Sequence, residues 1–354
     1  MHTVLQTVKS ANPDLYVRQE DAFGLFDTLF SFEYAERELY RKILLNGQIR
    51  GRHIALDSPE DITNQDQDQL IGRFLRFGRT TAAAAAARAL ETSGFCGSDV
   101  GLVIVNTCTG YLCPGLSSYL AEDLHLSKDT KVIDLMGMGC GGAIPNLETA
   151  CGFLSRKPEL IVLCISVEIC SATIFMDPDP GLVVSNCIFA DGAAAAVLQS
   201  SEADTSKSSL RFVDFESGLY PEHRSRLQYR TENHRLRNVL DARLPAIASR
   251  AIAEVTDRLL ERNGIERNAI SHWMVHPGGQ RILDRIQQRF GFDNGALSSS
   301  HEILREYGNM SSPSVLFVLE RVLRTRDPRQ GELGILVSFG AGFTVFATLV
   351  EFLC

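Results

Sequence analysis

The chain has 354 residues, 45% hydrophobic and 22% charged, a balance that excludes a disordered polymer and provides ample core for two packed halves. Its formal net charge of −8 argues against generic nucleic-acid binding, and its longest apolar runs, such as Leu160 to Val167, are too short to cross a bilayer. Nine cysteines without framework spacing, behind an N-terminus that lacks a secretory pattern, indicate a cytoplasmic protein rather than a disulfide scaffold.

Residues 1 to about 75 read as mainly helical, with Ala35 to Leu45 amphipathic and Ser58-Pro59-Glu60-Asp61 a turn and helix start. An alanine-rich helix over Thr80 to Leu90 leads through Gly94 and Gly97 into a strand over Val100 to Val105. A loop from Thr107 to Gly115 follows, then a helix near Ser117 to Leu124 and a strand over Lys131 to Leu135. Next come a glycine-rich turn around Cys140, a helix to about Leu154, and strands over Leu160 to Val167 and Gly192 to Leu198.

The polar run from Gln199 to Ser209 is the natural boundary between two halves, 1–203 and 204–354. The second half repeats the style of the first. A helix over Ala242 to Arg262 precedes a strand over Ser271 to Val275, the His276 turn, a helix to Phe290 and another over Pro313 to Leu323. Strands over Leu333 to Ser338 and Thr344 to Phe352 close the chain. The expected fold is layered α/β, with the site between the halves.

Three dispersed residues carry the chemistry. Cys140, in Met-Gly-Met-Gly-Cys-Gly-Gly, ends a strand and precedes a helix, where the dipole and unpaired N–H groups favour a thiolate. His276, in a His-Pro-Gly-Gly turn, and Asn309, in Tyr-Gly-Asn-Met-Ser-Ser, supply an ion-pair partner for the sulfur and N–H donors for an enolate or thioester oxyanion. Read singly, His276 is equally a structural turn residue, and Asn309 a loop residue or helix cap.

Two competing readings use the same region. Gly137, Gly139 and Gly142 satisfy G-x-G-x-x-G after a strand, with Glu168 as a ribose-binding acid, although it lies 26 residues beyond Gly142, later than the usual interval of about 20 in a dinucleotide site. Cys108 and Cys113 have the spacing of a metal-ligand pair, but no second pair accompanies them, so no metal is expected.

The segments around Cys140, Phe-Ala-Asp-Gly-Ala-Ala-Ala from Phe189, Met-Val-His-Pro-Gly-Gly-Gln-Arg-Ile-Leu-Asp from Met274, and Glu-Tyr-Gly-Asn-Met-Ser-Ser from Glu306 together resemble the type III polyketide synthases, the chalcone synthase-like branch of the thiolase-fold condensing enzymes. The resemblance covers nearly the whole chain. It implies a thiolase-like layered fold of two pseudo-repeated α/β halves, a homodimer, and Cys140, His276 and Asn309 as the catalytic triad. It further implies Phe189 as a gatekeeping aromatic, with Thr109, Cys113, Cys170, Thr173 and Ser311 shaping the chamber and Cys113 reaching a neighbouring subunit.

The implied reaction is decarboxylative condensation of an acyl-CoA or acyl-carrier-protein starter with malonyl-CoA, iterated and followed by cyclisation to a pyrone or phenolic ring, without a separate cofactor. The runner-up is a single-round ketoacyl carrier-protein synthase III, whose histidine normally sits in His-Gln-Ala-Asn. A biosynthetic thiolase would want a second cysteine in the C-terminal glycine loop. Two stretches depart from the family pattern. The terminal loop Ser338-Phe339-Gly340-Ala341-Gly342 stands where the family has Gly-Phe-Gly-Pro-Gly, so Gly340 belongs to an altered cyclisation scaffold, and Tyr220 to Leu244 matches poorly. Arg41, Lys42, Arg50 and Arg52 form an N-terminal basic cluster suited to the phosphorylated arm of coenzyme A.

Overall fold

The structure, a computed structural model, describes residues 2–201, 209–293 and 295–353. The first half contains β1 (His2–Ala11), β2 (Tyr16–Arg18), α1 (Gln19–Leu29), α2 (Tyr34–Asn46), β3 (Gly51–His53), α3 (Gln67–Ser93) and β4 (Val100–Thr107). It continues with α4 (Leu116–Asp123), β5 (Lys131–Met136), α5 (Ala143–Arg156), β6 (Ile161–Ile169), α6 (Pro180–Ile188) and β7 (Asp191–Ser201). The second half contains β8 (Leu210–Leu219), β9 (Leu227–Glu232), β10 (Arg235–Leu240), α7 (Leu244–Arg262) and β11 (Ile270–Val275). After these come α8 (Gln280–Phe290), α9 (Ser298–Tyr307), α10 (Ser314–Thr325), β12 (Leu333–Gly340) and β13 (Thr344–Phe352).

Nine strands join in the order β11-β12-β13-β8-β1-β7-β6-β4-β5. Within it the two halves repeat one pattern. β1 pairs antiparallel with β7, β7 antiparallel with β6, and β6 parallel with β4; β8, β13, β12 and β11 pair in the same senses. The local chemistry repeats as well. α3 and α7 end at Gly94 and Gly264, both left-handed (φ 75° and 65°), where a side chain would be strained. The next residues, Phe95 and Ile265, donate back to Leu90 and Leu260, and short 3-10 turns then feed β4 and β11.

Side-chain alternation along these strands builds the layers. Leu102, Ile104 and Val162 meet Leu147 of α5 and Leu319 of α10 in a central layer, together with Leu336 and Val350 from the other half. Val103, Val105 and Leu163 face outward onto Ala82 and Ala86 of α3, while Ile335, Val337 and Leu349 face Ile252 and Val255 of α7. Helices therefore cover both outer faces and fill the space between, as the expected layered α/β fold of two pseudo-repeated halves requires.

The expectation of a mainly helical N-terminal stretch is corrected here. β1 lies mid-sheet between β7 and β8, because Val4, Leu5 and Val8 are buried and a Thr- and Val-rich segment fits a pleated surface. The β9–β10 hairpin and α9 likewise had no sequence-based expectation. The boundary run 199–209 falls largely outside the described residues, as does the division after residue 203.

Candidate active site

Cys140 lies in a 3-10 turn (Gly139–Gly141) that runs from β5 into α5. That turn is held by close backbone approach. A β-carbon on Gly340 would sit 2.0 Å from the Met138 carbonyl oxygen and 3.2 Å from the Cys140 nitrogen, so the end of β12 can lie against the cysteine turn only with glycine there. Phe339, the preceding residue, sets its ring edge-on to His276 at 5.2 Å. One strand end thus touches both the cysteine and histidine segments.

His276 follows β11 and is tied to β12 by its backbone N–H, which donates to the Val337 carbonyl at 2.8 Å. Its ring is fully buried, and both ring nitrogens lack a hydrogen-bond partner among the described residues. Asn309 is fixed on every side. Its N–H donates to Ile188, its carbonyl accepts from Ala190, and it bridges Phe189. The side chain donates to the Gly278 carbonyl at 3.2 Å and accepts from the Ser311 N–H at 2.8 Å, so both partners assign the same amide orientation. The Gly278 N–H in turn donates to the His276 carbonyl at 2.9 Å. The histidine turn and the asparagine loop are one hydrogen-bonded unit, and the Ser311 hydroxyl extends it to the Cys108 thiol at 3.6 Å and to Glu168 Oε1 at 3.5 Å.

Burial governs the charge state. It pushes the Cys140 thiol up to about 12, with Ser311 pulling the other way and the Glu168 carboxylate adding to the rise. It pushes the His276 imidazole down to about 3. Desolvation of each charged form thus favours the neutral thiol and the neutral imidazole, opposing the thiolate–imidazolium pair expected at the helix terminus.

Phe189 caps α6 and packs with Cys170 against Cys140. Phe189 and Cys170 also line a cavity of about 20 Å³ with Thr173, Tyr229, Asn238 and Arg52, room for roughly one water. Thr173 donates to the Cys170 carbonyl at 2.8 Å and meets the Tyr229 hydroxyl at 3.3 Å. Thr109 and Ser311 converge instead on Glu168, a fully buried carboxylate. Glu168 accepts from the Cys108 and Thr109 N–H groups, the Thr109 hydroxyl at 2.9 Å and the Ser312 hydroxyl at 2.6 Å.

Glu168 therefore faces away from any ribose site, occupied by the 107–109 loop. Moreover β5, which leads into the Gly137 turn, is an edge strand rather than the inner strand of a dinucleotide crevice. Cys108 turns inward to Glu168 and Cys113 is exposed, so the two thiols do not share a ligand position.

The basic cluster divides. Lys42 and Arg50 are exposed, and Arg41 pairs with Glu38 at 2.8 Å. Arg52 is buried, its guanidinium bonded to Gln19 and to the Asn186 and Phe189 carbonyls. Its expected place in a surface coenzyme site is thus corrected, since its alternation on β3 turns it inward. Sequence reasoning also missed Tyr229 and the Glu168 hub. The first lies in the poorly matching 220–244 stretch, and the second was visible only as an acid ending an apolar strand.

A buried cysteine before a helix, a desolvated histidine and an oriented amide thus stand within two repeated α/β halves, the architecture of a thiolase-like fold. The chain matches two family models, FAE1/type III polyketide synthase-like protein over residues 10–264 and the C-terminal domain of chalcone and stilbene synthases over 216–353. It is 31% identical to a 3,5-dihydroxyphenylacetyl-CoA synthase of Streptomyces toyocaensis, covering 95% of this chain and 86% of that protein. It is 30% identical to a 1,3,6,8-tetrahydroxynaphthalene synthase of Streptomyces peucetius subsp. caesius, covering 96% and 91%. The crystal structure of PKS-I from the brown alga Ectocarpus siliculosus superposes with a TM-score of 0.90 at 26% identity, over 99% of this chain and 98% of that one. The chain belongs to the type III polyketide synthase family, enzymes that condense coenzyme A thioesters without a further cofactor. No described helix is long and apolar enough to cross a membrane.

Proposed function

We propose that Cys140 carries the growing acyl chain while His276 and Asn309 stabilise an enolate generated by decarboxylation. The observation that carries this reading is the Asn309 amide, held by Gly278 of the histidine turn and by the Ser311 N–H, beside the buried Cys140 on which Phe189 packs.

As an acyl-CoA enters, His276 accepts the Cys140 proton and the sulfur attacks the thioester carbon. The C–S bond to coenzyme A breaks, and the departing thiolate takes the proton from the imidazolium. Malonyl-CoA then binds with its thioester oxygen facing the His276 and Asn309 N–H groups. Its carboxylate carbon leaves as carbon dioxide, and the electron pair of that bond becomes the enolate held by the two donors. The enolate carbon attacks the Cys140 thioester and expels the thiolate, giving a β-ketoacyl-CoA two carbons longer. Transfer of that product back to Cys140 permits another round, and cyclisation to a pyrone or phenolic ring ends the sequence. Phe189, packed on Cys140, excludes water from the acyl-enzyme.

Lys42 and Arg50, exposed and not engaged as Arg52 is, are suited to the coenzyme phosphates. A homodimer is supported by β5, an unpaired sheet edge bearing Val132 and Met136, 47% and 37% exposed. Tyr111, 72% exposed, and Cys113 lie on the loop packed against that edge through Gly115 and Asp134. An isologous contact there covers both; a monomer in sedimentation equilibrium would count against it. Free thiols at all eight described cysteines fit a cytoplasmic setting.

The test is intact-mass analysis after incubation with a panel of acyl-CoA starters, followed by product analysis with malonyl-CoA. An acyl adduct on wild type that is absent from Cys140→Ala is expected, with products differing by two-carbon units. An adduct retained in Cys140→Ala would overturn the assignment, and products from one extension only would favour the single-round alternative.

A further inference from the structure

Arg52 is a buried cation with no carboxylate among its hydrogen-bond partners. Its Nη1 donates to the Phe189 carbonyl at 2.6 Å and the Asn186 carbonyl at 2.8 Å, and its Nε donates to Gln19 Oε1 at 2.8 Å. Gln19 Nε2 in turn donates to the Cys187 carbonyl at 2.9 Å. Arg52 and Gln19 together therefore take three carbonyls at the C-terminal end of α6, where a helix leaves acceptors unpaired and its dipole favours a cation.

The other end of the side chain meets the asparagine loop. A β-carbon on Gly308, whose φ is +75°, would lie 2.9 Å from Arg52 Cγ and 2.9 Å from the Ile188 carbonyl oxygen. The aliphatic stem of Arg52 thus lies against the residue that precedes Asn309, while its guanidinium holds the carbonyl of Phe189. The same two segments are already joined by Asn309 N–H to Ile188 and Ala190 N–H to Asn309. Arg52 braces this junction from one side, with a planar fork that a lysine cannot reproduce.

We propose that Arg52, oriented by Gln19, is a positioning residue that holds the gate residue Phe189 and the oxyanion donor Asn309 in register for the decarboxylation step. The inference rests on the roles proposed above for Phe189 and Asn309. The backbone of the Cys140 turn is placed by its close approach to Gly340 on β12, away from Arg52, so loss of the brace acts more on enolate formation than on acyl transfer to the sulfur.

The experiment compares wild type, Arg52→Met and Arg52→Lys in two assays: acylation of Cys140 by an acyl-CoA, read by intact mass, and carbon dioxide release from malonyl-CoA. For Arg52→Met, decarboxylation is expected to fall roughly 10- to 100-fold while acylation stays within about threefold, the scale of rate loss set by misplacing a reacting group by about 1 Å. Arg52→Lys recovers part of the loss. Unchanged decarboxylation in Arg52→Met, or an equal fall in both assays, overturns the proposal. If Arg52→Met gives no cooperative thermal transition, Gln19→Ala is read in the same pair of assays; a selective loss of decarboxylation supports the brace, and wild-type behaviour overturns it. Failure of wild type itself to acylate or decarboxylate refutes the underlying site assignment instead.

Discussion

The Ser312 hydroxyl donates to Glu168 Oε1 at 2.6 Å, joining the loop before α10 in the second half to the end of β6 in the first. Glu168 accepts from both sides of this seam. Burial pulls its carboxyl above the ordinary range, while hydrogen bonds from Ser312, Cys108 and Thr109 act in the opposite direction. An amide in its place would turn a donor toward donors. Glu168→Gln is expected to cost about 2–4 kcal/mol of stability, because buried polar groups on both halves lose their acceptor. Chemical denaturation showing a loss below about 0.5 kcal/mol, the range of ordinary surface substitutions, would refute the hub.

His276 makes stability depend on pH. Its folded value, about 3, lies below its ordinary value of 6.5, so the unfolded chain takes up the proton first and stability falls as pH drops through 6.5 toward 3. Between about pH 6.5 and 5 the expected contribution is a loss of about 1.6 kcal/mol. His276→Gln should remove that part of the slope. Denaturant titrations at the two pH values that show parallel losses in wild type and variant would contradict the buried neutral imidazole.

The same burial sets the reactivity of Cys140 in the free enzyme. With the thiol raised to about 12, alkylation by iodoacetamide should climb across the alkaline range, with its midpoint above the ~8.5 of an ordinary cysteine. A plateau already reached at pH 7 would show a preformed thiolate.

Tyr229 stands beside the proposed gate. Its hydroxyl meets Thr173 in a part-buried contact, and its side chain lines a cavity of about 20 Å³ beside Phe189 and Cys170. Tyr229→Ala opens that wall and is expected to shift products toward longer chains or to admit bulkier starters. Chromatography with mass detection decides it, and an unchanged product profile in a stably folded variant would refute that expectation.

Legibility in the sequence followed the range of the interactions. The strands around Cys140 and His276 were readable because apolar runs ended in glycine turns, and the helix end at Gly94 was readable as local backbone chemistry. β1 was not, because its central position depends on β7 and β8, nearly 200 residues away in sequence. The same distinction runs through the site. Cys140, His276 and Asn309 were named by their own neighbours, whereas Arg52 read as a surface cation, since nothing next to it announces the carbonyls of Asn186 and Phe189.

The sequence by itself determined the chemical inventory: a thiol before a helix, a histidine and an asparagine in glycine-containing turns, and the alternation that makes two layered halves. Tertiary structure decided their state and their company. Burial favours the neutral forms of Cys140 and His276, packing of the two halves places Ser312 on Glu168, and packing within the first half places Arg52 on Phe189. Desolvation and long-range hydrogen bonds exist only once distant segments meet, which is why these features have no local signature.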